Sequence, residues 1–178
     1  MGRHVALLRG INVGGKNSLP MPALAALFAD AGCTEVTTYI QSGNVIFSAP
    51  TKALASLAST ISKRIASEHR LEVPVVIRSA ARLAEVATNN PYVASTSDPK
   101  ALHVMFLADA PTAQAVAGLD PERSPGDAFT VVGSEIYLRC PNGLGRSKLT
   151  NAYFDSRLGT TSTCRNWNTV LTLVEKSR

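Results

Sequence analysis

The sequence predicts an α+β fold made of two tandem repeats and an extra C-terminal helix. Strand-like and helix-like apolar spacing follows nearly the same order twice along the chain. Each pass also contains a hairpin centred on a serine and a glycine. The 178 residues are 45% hydrophobic and 17% charged, which fits a folded domain. We therefore expect two ferredoxin-like (split βαβ) repeats with mostly antiparallel sheets.

The first repeat is predicted to cover residues 1–78. Its predicted elements are strands at His4–Arg9, Glu35–Ile40, Asn44–Ser48 and Val73–Arg78, with helices at Met21–Ala31 and Lys52–His69. Leu57, Ile61 and Ile65 recur at helical spacing in the longer helix. The turn at Gln41–Asn44 is too short for anything but a hairpin, which disfavours a doubly wound parallel sheet.

The second repeat is predicted to cover residues 101–178, after a connector at 79–100 that starts with a short helix. Its predicted elements are strands at Leu102–Ala108, Ala128–Val132 and Glu135–Cys140, with helices at about Thr112–Leu119 and Ser147–Leu158. A last helix from about Arg165 would place Trp167, Val170, Leu171 and Val174 on one apolar face. We expect residues 1–178 to form a single compact domain.

The net charge of +5 is concentrated in two stretches. Residues 1–20 hold three basic and no acidic side chains, and residues 139–165 hold five basic side chains against Asp155. The remainder, with ten basic and twelve acidic residues, has a charge of −2. Because both basic stretches contain glycine-rich loops, their charge indicates an anion site.

The first loop, Gly10–Asn17, nearly matches a phosphate-binding P-loop. Asn17 replaces the hydroxyl that would hold Mg²⁺, and Pro20 and Pro22 delay the next helix, so the nucleotide-binding version is disfavoured. We still expect an anion to bind the free backbone N–H groups of the loop and the ammonium group of Lys16. The predicted binding residues are Asn12, Gly14, Gly15 and Lys16; a purely structural turn is the alternative.

The hairpin turn at Gln41–Asn44 is expected beside that loop. In a split βαβ unit, the loop after the first strand and the β2–β3 hairpin lie at the same edge of the sheet. Gln41 and Asn44 would then extend a shelf of amide and ammonium donors that suits an anion better than it suits activation of a water. A structural hairpin explains the motif equally.

The second basic loop, Asn142–Lys148, is predicted to open a helix with Ser147 as its N-cap. Arg146 and Lys148 would oppose the dipole of that helix, and a bound anion would reconcile them. Arg165, at the start of the last predicted helix, could join them if the chain returns there. The G-x-G spacing alone is a weak dinucleotide signal because the third glycine is missing.

Other chemistry has little support. Cys33, Cys140 and Cys164 lack C-x-x-C spacing, which argues against a disulfide framework and a zinc site and fits a reducing cytoplasm. The histidines are scattered and the motifs hold few carboxylates, so we expect no metal, no cofactor and no identifiable catalytic residue. No apolar run approaches the ~20 residues of a membrane span.

Four segments together resemble a bacterial family catalogued as domain of unknown function 1697. They are Leu7–Lys16 (LLRGINVGGK), Tyr39–Asn44 (YIQSGN), Arg146–Leu149 (RSKL) and Arg165–Thr169 (RNWNT). The resemblance spans nearly the whole chain in the same order, and Cys164 stands where the family usually has Thr. It implies a cytoplasmic α+β protein with repeated ferredoxin-like units, and it brings no activity or site residue.

Three functions remain open on the sequence. The first is a binding module for phosphate-bearing partners, with nucleic acid favoured by the sequence pI near 9.4 and by the basic loops. Only 6% of residues are aromatic, which counts against base stacking. The second is an enzyme acting on a phosphate- or carboxylate-bearing small molecule, and the third is a scaffold without a ligand. The sequence does not fix the oligomeric state.

Overall fold

The computed structural model describes residues 2–178 and divides into two compact units. The first comprises Met1–Ala84 with Leu173–Arg178, and the second comprises Glu85–Thr172. The described residues form two four-stranded antiparallel sheets and six α-helices, which confirms the predicted α+β fold of tandem split βαβ units with a C-terminal helix. The single compact domain, with boundaries at 1–78, 79–100 and 101–178, stays a prediction.

The first sheet has the strand order β2-β3-β1-β4, with every neighbouring pair antiparallel. Its elements are β1 (Gly2–Leu8), α1 (Met21–Asp30), β2 (Thr34–Tyr39), β3 (Asn44–Ala49), α2 (Thr51–His69) and β4 (Val75–Ser79). Helices α1 and α2 bury their apolar faces against one face of this sheet. Phe28 of α1 packs on Phe47 of β3 with ring centroids 5.1 Å apart.

The second sheet repeats that order as β6-β7-β5-β8. Its elements are β5 (Leu102–Leu107), α4 (Ala113–Ala117), β6 (Ala128–Val132), β7 (Glu135–Arg139), α5 (Asn151–Leu158) and β8 (Ser162–Asn166). Leu138, Tyr153 and Phe154 belong to the core on one face of this sheet. The remaining helices are α3 (Ala80–Thr88) and α6 (Trp167–Lys176).

The end of the chain differs from the sequence prediction. Residues 162–166, predicted as a loop running into a helix, form β8 and pair with β5. This strand escaped prediction because its sequence, Ser-Thr-Cys-Arg-Asn, contains no run of apolar residues. Helix α6 therefore begins at Trp167, and Leu171 is 44% exposed while Leu173 is buried in its place.

The two predicted hairpins are confirmed. β6 and β7 are joined by the two residues Gly133 and Ser134, with Gly133 at a left-handed φ of 60°. β2 and β3 are joined by the four residues 40–43, and Gly43 has a φ of 85°. A Cβ on Gly43 would lie 2.8 Å from both Leu8 Cβ and Ile11 Cδ1, so only glycine fits there.

Replacing Gly43 by alanine should destabilise the fold by about 2–4 kcal/mol, because it adds an overpacked methyl group to a left-handed backbone. Gly32→Ala is the matched control, since Gly32 has the same φ of 85° but no atom within 4 Å of its Cβ position. Urea denaturation of the two variants separates the steric cost from the backbone cost. Equal losses of stability in both would contradict the close approach at Gly43.

Because of His103, the free energy of unfolding should decrease as the pH falls below 6.5, the ordinary pKa of a histidine side chain. The side chain is 8% exposed, and burial lowers the pKa of its imidazole. The unfolded chain therefore binds the proton more tightly than the folded chain, and acid favours unfolding through this group. We expect the urea midpoint to fall from pH 8 to pH 5.5 by less in His103→Gln than in the wild type; parallel falls would refute the assignment.

Candidate functional site

The loop after β1 is a short hairpin, which we call the finger (residues 10–17). The N–H of Lys16 donates to the carbonyl of Val13 at 3.0 Å, and the two residues form an isolated antiparallel bridge. Gly14 and Gly15 at the tip have φ of 58° and 74°, the pattern of a type I′ turn. The helix α1 starts only at Met21, so the finger is not a P-loop.

Asn12 ties the finger to the β2–β3 hairpin. Its Nδ2 donates to the carbonyls of Leu19 and Gln41, both at 2.9 Å, and its Oδ1 accepts from the N–H of Leu19 at 2.8 Å. The finger and the turn at 41–44 therefore lie side by side, as the split βαβ order predicts. The amide of Asn12 is used for this contact, which gives Asn12 a structural role.

The predicted shelf of donors forms only in part. Asn44 is fully buried, and its Nδ2 donates to the carbonyl of Tyr39 and to Ser42 Oγ, so it is not a surface donor. The side chains of Gln41 and Lys16 are exposed and bond to no residue between 2 and 178. The N–H groups of Gly14 and Gly15 likewise meet no acceptor in the described part of the chain.

In the second unit, a polar cleft of about 340 Å³ lies beside the second basic loop. It is lined by residues from the turn before β6 and the segment after β7: Ser124, Pro125, Asp127, Asn142, Gly143, Arg146 and Ser147. Residues 144–146 form a single 3₁₀ turn, and Gly143 before it has a φ of 86°. The guanidinium of Arg146 is exposed and has no ion pair among residues 2–178.

Hydroxyl groups join the two walls of this cleft. Ser124 Oγ donates to Asp127 Oδ2 at 2.6 Å and accepts from the backbone N–H of Lys148 at 3.1 Å. Ser147 Oγ accepts from the N–H of Leu149 at 3.0 Å. The lining of the cleft therefore contains both an exposed cation, Arg146, and a carboxylate, Asp127, that already accepts one hydrogen bond.

The helix that follows does not start where the sequence predicts. The N-cap of α5 is Thr150, whose Oγ1 accepts from the N–H of Tyr153 at 3.2 Å. Ser147 is thus not an N-cap, and Arg146 and Lys148 lie outside the first turn of the helix. The helix-dipole argument for an anion at these two cations is wrong, because the dipole effect falls off within one turn.

The position of Arg165 also differs from the sequence prediction. It lies in β8 and is 6% exposed, with Nη1 donating to Thr163 Oγ1 at 2.9 Å and to the carbonyl of Cys164 at 2.8 Å. Burial lowers the pKa of its guanidinium to about 10. A cation enclosed in this way is not part of an exposed anion site.

Burial disfavours ionisation of all three thiols. Burial raises the pKa of Cys164 to about 12 and that of Cys140 to about 11, so neither forms a thiolate nucleophile near neutral pH. Within residues 2–178, no group of three His, Cys, Asp or Glu side chains is placed to hold a metal ion. None of the described helices is both long and apolar enough to cross a bilayer.

Sequence reasoning missed Ser124 and Asp127. They precede β6, about twenty residues before the basic loop, in a Ser-Pro-Gly-Asp turn that has no basic residue to mark it. The hairpin order supplies the only signal, since the start of β6 and the end of β7 must lie side by side.

Replacing Asn12 by alanine should destabilise the finger and the whole fold by about 1–3 kcal/mol, because its two bonded polar atoms link three backbone groups. Asn17→Ala is the matched control: Asn17 has nearly the same φ, 52° against 53°, but its Nδ2 makes one bond, to the carbonyl of Gly10. Thermal unfolding should rank Asn12→Ala as the less stable variant. The reverse order would show that the link to Gln41 contributes little.

Comparisons with known proteins bear on the fold and the family. The family described as "Protein of unknown function (DUF1697)" matches residues 1–137. A structure of a conserved bacterial protein from Streptococcus pneumoniae is similar, with a TM-score of 0.72 and 21% sequence identity over 99% of each chain. At that identity the likeness concerns the fold alone. No curated protein matches significantly.

Proposed function

The chain belongs to the family of proteins of unknown function DUF1697, and from its own residues we propose that it binds anions carried by a phosphate-bearing partner. The observation that carries the proposal is a set of exposed cations at two loops that form no ion pair with any residue from 2 to 178: Lys16 on the finger, and Arg146 and Lys148 beside the cleft. An isolated cation next to free N–H or amide donors suits a phosphate oxygen.

Nucleic acid is the partner we propose first. The first unit holds eleven basic and five acidic side chains, a net charge of +6, while the second holds seven and eight, a net charge of −1. An excess of this size on a small unit attracts a polyanion at long range. The tip of the finger, with Gly14, Gly15 and Lys16, then contacts the phosphate backbone of the nucleic acid, and this contact does not depend on base sequence.

A small phosphate- or carboxylate-bearing molecule is the second candidate, and the cleft favours it. Its volume of about 340 Å³ lies at the low end of the ~300–1,000 Å³ typical of ligand pockets. Asn142 and Arg146 can donate to an anionic group, while Asp127 favours a ligand that also carries a donor or a positive charge. We assign no catalytic step to this cleft.

Titration against labelled single-stranded RNA at several salt concentrations tests the nucleic-acid proposal. Lys16→Ala should weaken binding about equally for all sequences and reduce the slope of log K against log salt by about 0.7. Lys52→Ala, which removes an exposed cation from the same unit, is the matched control and should change the slope less. Unchanged binding in Lys16→Ala would remove the finger from the interface.

Thermal shift assays with inorganic phosphate and with phosphorylated metabolites test the cleft. A ligand at a hundredfold excess over its Kd should stabilise the wild type by about 2.7 kcal/mol, and Arg146→Ala should abolish that gain. Arg157→Ala is the control, because Arg157 is exposed near the far end of α5, a helix about 12 Å long. If the wild type binds neither RNA nor these compounds, the scaffold alternative stands.

A further inference from the structure

The outer edge of β6 has unused hydrogen-bonding groups. The two-residue turn makes Val132 and Glu135 a hydrogen-bonded pair, so alternation turns the N–H and C=O of Phe129 and Val131 away from β7. Within residues 2–178 those four groups make no hydrogen bond. β6 is the terminal strand of its sheet, so these groups form a free edge.

The strand in the same position of the first sheet, β2, is protected against such pairing. Its register shifts between Thr34 and Thr37, and Glu35 has a left-handed φ of 51°. The Glu35 carboxylate also accepts from Ser48 Oγ at 2.6 Å and pairs with Arg3 at 3.5 Å. A bulge and a charged side chain are the usual devices that keep edge strands apart.

β6 has none of these devices. Its register with β7 is unbroken over all five residues, and its sequence Ala-Phe-Thr-Val-Val contains no charge, no glycine and no proline. Val132 at its end is a large apolar residue that is 44% exposed. Two strands occupy equivalent places in one chain, and only one of them is protected.

The sequence of β6 is complementary to itself. An antiparallel pair with Thr130 opposite Thr130 places each Phe129 opposite a Val131 and brings the outward N–H and C=O groups into four hydrogen bonds. An aromatic residue opposite a β-branched residue is a favoured cross-strand pair. Thr130 Oγ1 already shares a hydrogen bond with the Tyr92 hydroxyl at 2.8 Å, so the pairing relies on the backbone groups and on Phe129 with Val131. Asp127, the nearest charged residue, would face Gly133 of the other copy, so no like charges meet.

From this we infer that β6 is the pairing edge for a second copy of this chain, joining two sheets into one antiparallel eight-stranded sheet. The five-residue strands are short, and standard interfaces bury about 1,600 Å². The dimer is therefore expected to be reversible and to depend on protein concentration.

Amide hydrogen exchange of the wild-type chain tests the pairing directly. Raising the concentration from low to high micromolar should slow exchange at Phe129 and Val131, whose N–H groups point outward. The N–H groups of Thr130 and Val132 bond to β7 and serve as the internal control, with little change. Sedimentation equilibrium over the same range should show a monomer–dimer transition. If the chain stays monomeric over the whole concentration range, the inference is overturned. That result would also be expected if β6 paired only with a strand of another protein.

The proposed register places Thr130 opposite Thr130 of the second copy, and charged substitutions at this position test it. Thr130→Lys and Thr130→Glu place like charges opposite each other, so each variant alone should be monomeric. An equimolar mixture should restore the dimer, a result that misfolding of either variant cannot produce. A dimer that persists in both single variants, with circular dichroism showing them folded, would place the interface elsewhere and overturn the inference.

Discussion

Each unit depends on one central strand that is paired on both sides. β1 pairs with β3 and β4, and β5 pairs with β7 and β8, all antiparallel. Residues 4–8 and 102–107 are buried throughout, so these strands have no solvent-exposed face and no free edge. Once the central strand is fixed, the loop after it must leave at the end of the sheet that also holds the next hairpin, which is where Asn12 meets Gln41.

The two candidate sites do not occupy equivalent positions in the two repeats. The finger stands at the end of the first sheet where β2 turns into β3, whereas the cleft stands where β6 starts and β7 ends, the opposite end of the corresponding hairpin. The equivalent of the finger in the second unit is the short loop between β5 and α4, which has no Gly-Gly tip. The two candidate sites therefore lie at non-equivalent ends of two similar sheets.

The sequence predicts the frame better than the sites. Glycines at the hairpins and regular apolar spacing locate seven of the strands and the order of the units, because those signals are local. β8 has no such signal, and α5 is capped by Thr150, three residues beyond the predicted N-cap Ser147. Burial of Arg165 and Asn44 depends on packing between distant segments, which residue type alone does not reveal.

Charge is similarly redistributed by folding. The +4 of residues 139–165 lies in a unit whose net charge is −1, with Asp127 in the wall of the cleft itself. The finger keeps its local excess, and four of its residues, Asn12, Gly14, Gly15 and Asn17, have left-handed φ. A Gly-Gly tip favours this turn by itself, so it loses little conformational entropy when a partner arrives. Association there should therefore be limited by diffusion and electrostatic steering, with no slow ordering step, and dissociation alone would set how long a complex lasts.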